Sequence, residues 1–164
     1  MKCDQMLEER IIQKLTKLHM TVTTVESCTG GMVSAALTSV PGSSAVFYRG
    51  FVTYCDQAKN EMVGVSRKTL EQYTAVSRET AKEMAEGGAK QANADFALSV
   101  TGYAGPDTGS GEPVGLVYIG CCFRGDTVVE ECHFSGGRQE IRKQSLQRVL
   151  ELLERRITSF ETAS

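Results

Sequence analysis

Two short runs rich in β-branched and apolar residues, TVTTVE at 21–26 and DFALSV at 95–100, stand among stretches whose apolar residues recur at helical spacing. That alternation constrains the chain more than any other feature. Strands separated by helices must be joined by crossovers, and crossovers cover both faces of a largely parallel sheet. Residues of about 4–19 form the first helical stretch: Leu7, Ile11, Leu15 and Leu18 share a face, Asp4 can cap the start, and Lys14 and Lys17 lie late. After 21–26, SCTGG turns the chain into a helix of about 30–39, stopped by Pro41-Gly42. A strand over about 45–55 leads to a helix capped by Asp56 and ended by Gly64. Ser66 and Ser77 start two more helices. The second has a small-residue face (Ala81, Met84, Ala85, Gly88, Ala89) fit for packing on the sheet or for a subunit contact. Strands at about 115–124 and 127–134, joined through Gly125-Asp126, make a hairpin, and a last helix spans about 138–158. The expected fold is one domain over residues 1–164: α/β, a three-layer α/β/α with a mixed, mostly parallel sheet and a late β-hairpin.

Charge and cysteine usage narrow the function classes. With 18 Lys+Arg against 20 Asp+Glu and no basic run, a phosphate-driven grip on nucleic acid is not expected. No run approaches the roughly 20 apolar residues of a membrane span, and MKCDQMLEER lacks the apolar centre of a signal peptide, so a cytoplasmic protein without a membrane partner is expected. Six cysteines occur without a CxxC, and with only His19 and His133 beside them no zinc site of ordinary spacing can be drawn. Free, mostly buried thiols are expected, with Cys121 and Cys122 facing opposite sides of a strand, and neither a metal nor a cofactor is implied.

Three segments fall at predicted strand ends: ESCTGG (26–31), FVTYCDQAK (51–59) and VTGYAGPDTGSGEPVG (100–115). The first sets a hydroxyl and a thiol on a strand-to-helix turn, followed by two glycines that let backbone amides approach an anion or oxyanion; an ordinary tight turn is the plain alternative. The second offers Tyr54 and, in the first helical turn, Lys59. A cation there is disfavoured by the helix dipole, and burial would depress its pKa further, making a neutral lysine a competent base; a solvated surface lysine is the alternative. The third has no regular element and is long enough to be functional or disordered. Walker-type, Rossmann, Ser-x-x-Lys and G-x-S-x-G patterns are all missing.

Taken together, ESCTGG, GSSAVFYRGFVTYCDQAK (42–59), AVS (75–77), TGYAGPDTGSGEPVGLVY (101–118) and FSGGR (134–138) resemble the CinA C-terminal domain family, the competence/damage-inducible proteins. Its stand-alone members are nicotinamide-nucleotide amidohydrolases of the PncC type. Tyr103 departs from the family pattern where an aliphatic residue is common, and Cys55 where a small polar one is frequent. The pyrophosphatase-type activity of the N-terminal domain in two-domain members is not expected of these residues. The resemblance implies deamidation of nicotinamide mononucleotide, with Ser27 as nucleophile, Lys59 as base and Tyr54 assisting. It implies a nucleotide site lined by Thr29, Gly30, Gly31, Ser43, Ser44, Thr101, Gly102 and Gly105; Arg49 is the candidate phosphate partner, since a guanidinium fork matches phosphate oxygens, with an exposed strand arginine as the alternative. The implied partner is a small-molecule nucleotide, and a homo-oligomer is expected. Three alternatives stay open: Cys28 as nucleophile, a non-catalytic nucleotide-binding module, and an amidase acting on another amide.

Overall fold

The computed structural model describes residues 5–164, so Cys3 and the Asp4 cap lie outside the described residues. The elements in chain order are α1 (Leu7–Leu18), β1 (Val22–Glu26), α2 (Met32–Thr38), β2 (Gly50–Val52), α3 (Asp56–Val63), α4 (Arg67–Tyr73), α5 (Arg78–Ala92), β3 (Phe96–Gly102), β4 (Leu116–Phe123), β5 (Asp126–His133) and α6 (Arg138–Ala163). The sheet order is β2-β1-β3-β4-β5. β1 pairs in parallel with β2 and β3, while β4 runs antiparallel to β3 and to β5, so four of the five strands point the same way. The three-layer α/β/α fold with its late hairpin is therefore present.

Alternation along the strands decides which helix lies on which face. Val22, Phe96, Leu98, Ile119 and Cys121 meet Ile11 and Leu15 of α1, Leu37 of α2 and Leu153 of α6. On the opposite face Val25 meets Val63, Leu70 and Met84, while Ala97 and Cys122 meet Ala85 of α5. Cys121 and Cys122 part to opposite faces as expected. The small-residue face of α5 serves the sheet: a Cβ on Gly88 would lie 2.3 Å from Val25 Cγ2.

Several boundaries differ from the sequence reading. The strand expected over 45–55 shrinks to Gly50–Val52, because Ser43–Ala45 forms a 3-10 turn in which Ser43 O accepts from both Val46 N and Phe47 N. Asp56 is the first helical residue of α3 rather than its cap, which is Cys55 without a side-chain bond. Ser66 and Ser77 cap as expected, accepting from Thr69 N and Thr80 N. The hairpin turn is Arg124-Gly125, both at positive φ (47° and 87°), with Asp126 already paired to Phe123. α6 continues past 158 because Phe160 packs edge-on against Phe123, 5.3 Å between centroids. No helix among the described residues is long and apolar enough to cross a membrane.

Topology selects the place for a site. From β1 the chain passes through α2 to β2 on one side, then through α3, α4 and α5 to β3 on the other. β1 and β3 thus flank the point where strand order reverses, and in open α/β sheets ligands bind outside the carboxyl ends of such strands. Glu26 and Val100 are register partners at that end.

Candidate active site

Glu26 closes β1 with its side chain buried, 1% exposed. Its carboxylate accepts from Val33 N (2.9 Å), Ser34 N (3.0 Å) and Ser34 Oγ (2.8 Å). The orphan amides at the start of α2 are thus capped by a strand residue, because Gly31 at the N-cap has no side chain to do it. Tying the helix start to the strand end compresses residues 27–31 into a tight turn, which Gly30 and Gly31 permit at φ 55° and 105°. Within it Ser27 N donates to Val100 O and Gly30 N to Ser27 O. Among the described residues, no carbonyl or side-chain oxygen accepts from the amides of Cys28, Thr29 and Gly31.

From α6, Arg142 reaches the same turn. Its Nε donates to Cys28 O (3.1 Å) and its Nη2 to Thr29 O (3.2 Å). A trans peptide carries its N–H opposite its carbonyl, so holding Cys28 O toward Arg142 points the Thr29 amide away from it. Thr29 itself is fully buried, and its hydroxyl has no hydrogen-bond partner among the described residues. With the Thr29 side chain enclosed and none on Gly30 and Gly31, the turn presents backbone rather than side chains at these positions.

Lys59 is 1% exposed, and its Nζ lies 3.1 Å from Ser27 Oγ and 2.7 Å from Thr53 O. Thr53 is fixed in turn by donating its amide (2.7 Å) and hydroxyl (3.3 Å) to Glu26 O. Glu26 thereby organises both halves of the pair, one through its carboxylate and the other through its carbonyl. Burial lowers the Lys59 pKa from the ordinary lysine range, and the attraction of Asp56 only partly offsets it. An amine whose charged form burial disfavours, in hydrogen-bond range of a serine hydroxyl, is an arrangement suited to general-base activation of that hydroxyl. Cys28 is 6% exposed, and burial pushes its thiol up to about 11. Lys59 Nζ bonds Ser27 Oγ and Thr53 O rather than the Cys28 sulfur, so the geometry favours Ser27 over Cys28 as the group a base would activate.

Ser27 and Lys59 open onto a cleft of about 230 Å³ whose walls include Tyr54, Thr101, Gly102, Gly105 and Arg138. Thr101 turns its hydroxyl to Ala75 O (2.7 Å). Tyr54 stands at the rim, 60% exposed, its hydroxyl accepting from Arg138 Nη2 (2.9 Å), while Arg138 Nη1 donates to Gly105 O (2.7 Å). Three expected residues lie elsewhere. Ser43 and Ser44 sit in the 3-10 turn whose Val46 carbonyl accepts from Val22 N, at the start of β1. Arg49 precedes β2 and extends to Gln91 O (3.5 Å) near the end of α5. All three are at the opposite end of the sheet from Ser27, so within one chain the structure does not bring Arg49, Ser43 or Ser44 to this cleft. Sequence reasoning gave no role to Glu26, Arg138 or Arg142. The usable signals were a carboxylate at the end of a strand before a helix without a capping side chain, and two arginines four apart on one helical face.

The model of the CinA C-terminal domain family matches residues 4–157. A curated relative from Clostridium novyi, described as a competence-damage inducible protein, is 46% identical over 152 residues, 92% of this chain and 37% of the relative. One of the same description from Clostridium perfringens is 46% identical over 156 residues, 94% of this chain and 38% of the relative. The chain thus spans less than two fifths of the length of these relatives. The crystal structure of the competence/damage inducible protein CihA from Agrobacterium tumefaciens is 47% identical, with a TM-score of 0.87 over 90% of this chain and 91% of that one. A CinA superfamily protein from Klebsiella pneumoniae is 33% identical, with a TM-score of 0.91 over 93% of this chain and 96% of that one.

Proposed function

The chain belongs to the CinA C-terminal domain family, and from that premise we propose that it is a nicotinamide-nucleotide amidohydrolase, taking nicotinamide mononucleotide and water to nicotinate mononucleotide and ammonia. The observation that carries the reading is the buried Lys59 amine 3.1 Å from Ser27 Oγ. Ser27 Oγ forms a bond to the carboxamide carbon as its proton passes to Lys59, leaving a tetrahedral oxyanion. The amides of Thr29 and Gly31, which have no acceptor among the described residues, are the donors for that oxygen. The lysinium then returns the proton to the amide nitrogen, the C–N bond breaks, and ammonia departs. Water attacks the resulting ester, again losing a proton to Lys59, and the lysinium returns that proton to Ser27 Oγ as the C–O bond breaks, releasing the acid and restoring the neutral amine and the serine hydroxyl. Tyr54 is held by Arg138 at the rim, so it shapes the mouth of the cleft. Arg138, which lines the cleft while its Nη1 and Nη2 donate to Gly105 O and Tyr54 Oη, takes in this reading the phosphate role expected of Arg49, with its remaining N–H groups as donors. With this reading goes a cytosolic homo-oligomer whose second copy would cover the exposed Tyr48, just before edge strand β2, and Val52, at its end.

The test is release of ammonia from nicotinamide mononucleotide by the purified protein. Ser27→Ala and Lys59→Met are each expected to cut turnover by about 10³-fold or more, on the scale of other nucleophile and base deletions, while Cys28→Ala stays within a few-fold of wild type. An active Ser27→Ala with a dead Cys28→Ala overturns the assignment, and binding without conversion by the unaltered protein overturns the enzyme.

A further inference from the structure

Residues 103–115 do not hang loose over the cleft. Tyr103 N donates to Leu116 O (2.9 Å), Gly115 N to Tyr103 O (2.8 Å), and Gly109 N to Asp107 Oδ1 (3.1 Å), so the segment is folded into a strap. Tyr103, Ala104, Gly105 and Asp107 of the strap line the cleft of Ser27, and of these Tyr103 and Asp107 carry the aromatic and the charged side chain. The Tyr103 hydroxyl accepts from Ser110 Oγ (3.2 Å), which engages the polar end within the strap. Asp107 forms no ion pair among the described residues, and neither does Asp56 on the same cleft wall. The guanidinium of Arg138 is engaged by Tyr54 and Gly105. An aromatic residue and two carboxylates without an ion-pair partner among the described residues, on the lining of one cleft, suit an organic cation, although Asp56 also attracts Lys59.

Resting on the amidohydrolase reading above, we propose that the strap selects for a permanent positive charge on the substrate ring, with Tyr103 and Asp107 as its specificity-determining residues. The chemistry favours such a filter. A quaternary ring nitrogen withdraws electrons from the carboxamide and eases attack by Ser27, so recognising the charge selects the more reactive amide. A cleft of about 230 Å³ is smaller than the roughly 300–1,000 Å³ of pockets that enclose whole drug-sized ligands. It fits the ring and its carboxamide and leaves the remainder of the nucleotide at the rim. Asp107 is exposed, so water and salt moderate its contribution.

Equilibrium titration of the Ser27→Ala protein with two ligands tests this. One is nicotinamide mononucleotide; the other is its uncharged carbon isostere, the 5′-phosphate of the benzamide C-riboside. The cation is expected to bind about tenfold more tightly. Adding Tyr103→Leu and Asp107→Asn should bring the ratio to about twofold or less by weakening the cation alone. Tyr103→Phe, which keeps the ring, should preserve it and guards against a strap that has merely unfolded. Equal binding of the two ligands, or a ratio that the paired substitutions leave unchanged, overturns the proposal while leaving the amidohydrolase reading intact. If neither ligand binds, that reading falls and the inference with it.

Discussion

Replacing Lys59 by methionine keeps the side chain long and removes its one titrating group. In the unfolded chain the amine titrates near the ordinary value of ~10.4, whereas burial lowers it in the folded protein. Between those two values the unfolded chain binds one proton more than the folded one, so stability rises with pH, by about 1.4 kcal/mol per pH unit for one proton. Below the native value the penalty is constant, and above ~10.4 it is gone. Lys59→Met lacks this dependence. Its stability relative to wild type is therefore greatest at neutral pH and declines by about 1.4 kcal/mol per unit as pH rises through the window. At the alkaline end the wild type leads, because the variant forfeits the bonds to Ser27 Oγ and Thr53 O, each worth about 0.5–1.5 kcal/mol. Urea unfolding of both proteins between pH 7 and 10 at fixed ionic strength, with unchanged m, reads the gap directly. A gap that stays constant across that range would refute the reasoning, since Lys59 would then carry the same charge folded and unfolded.

Glu26→Gln tests the strand-borne cap. An amide of the same shape presents an NH₂ group to a helix start that already supplies donors from Val33, Ser34 N and Ser34 Oγ. A loss of about 2 kcal/mol in unfolding free energy is expected, with kcat reduced more than KM because the Ser27 turn loosens; unchanged stability and kcat would contradict it. Gly87→Ala sets helix propensity against packing. Alanine gains up to about 1 kcal/mol in a helix interior, but its Cβ would lie 1.7 Å from the backbone oxygen of Val63, a clash on the scale of about 1–3 kcal/mol that repacking α3 on α5 does not relieve. Thermal melting should show net destabilisation, and a stabilised variant would refute the α3–α5 contact. The rate of ammonia release should rise with pH along a limb below the ordinary lysine range, because burial lowers the pKa of the base; a rate that falls as pH rises from 6 contradicts a lysine base.

How much of this the sequence made legible depended on the range of the interactions. β1, β3 and the hairpin strands were readable because Val22, Val25, Phe96 and Leu98 satisfy local strand preferences that burial only reinforces. The Ser66 and Ser77 caps were readable because each bonds an amide three residues on. The 45–55 segment misled because AVFYRGFVTYC has strand-forming residues throughout, whereas only Gly50–Val52 reaches β1 as an edge strand. In the site, Ser27, Lys59 and the 101–105 segment were legible as strand-end positions. Glu26, Arg138 and Arg142 were not, because their partners are supplied by the fold: Arg142 meets Cys28 O and Thr29 O across more than a hundred residues of sequence. Arg49 lies apart from the cleft for the complementary reason: its chemistry suits phosphate, but just before β2 it stands at the opposite end of the sheet from Ser27.

Nitrogen-15 chemical shifts of Nζ followed against pH, with Lys59→Met identifying the resonance, test the neutral amine most directly. The account predicts that Lys59 alone among the lysines loses its proton well below the rest. A Lys59 midpoint coinciding with the exposed lysines would contradict it, leaving Ser27 without a base.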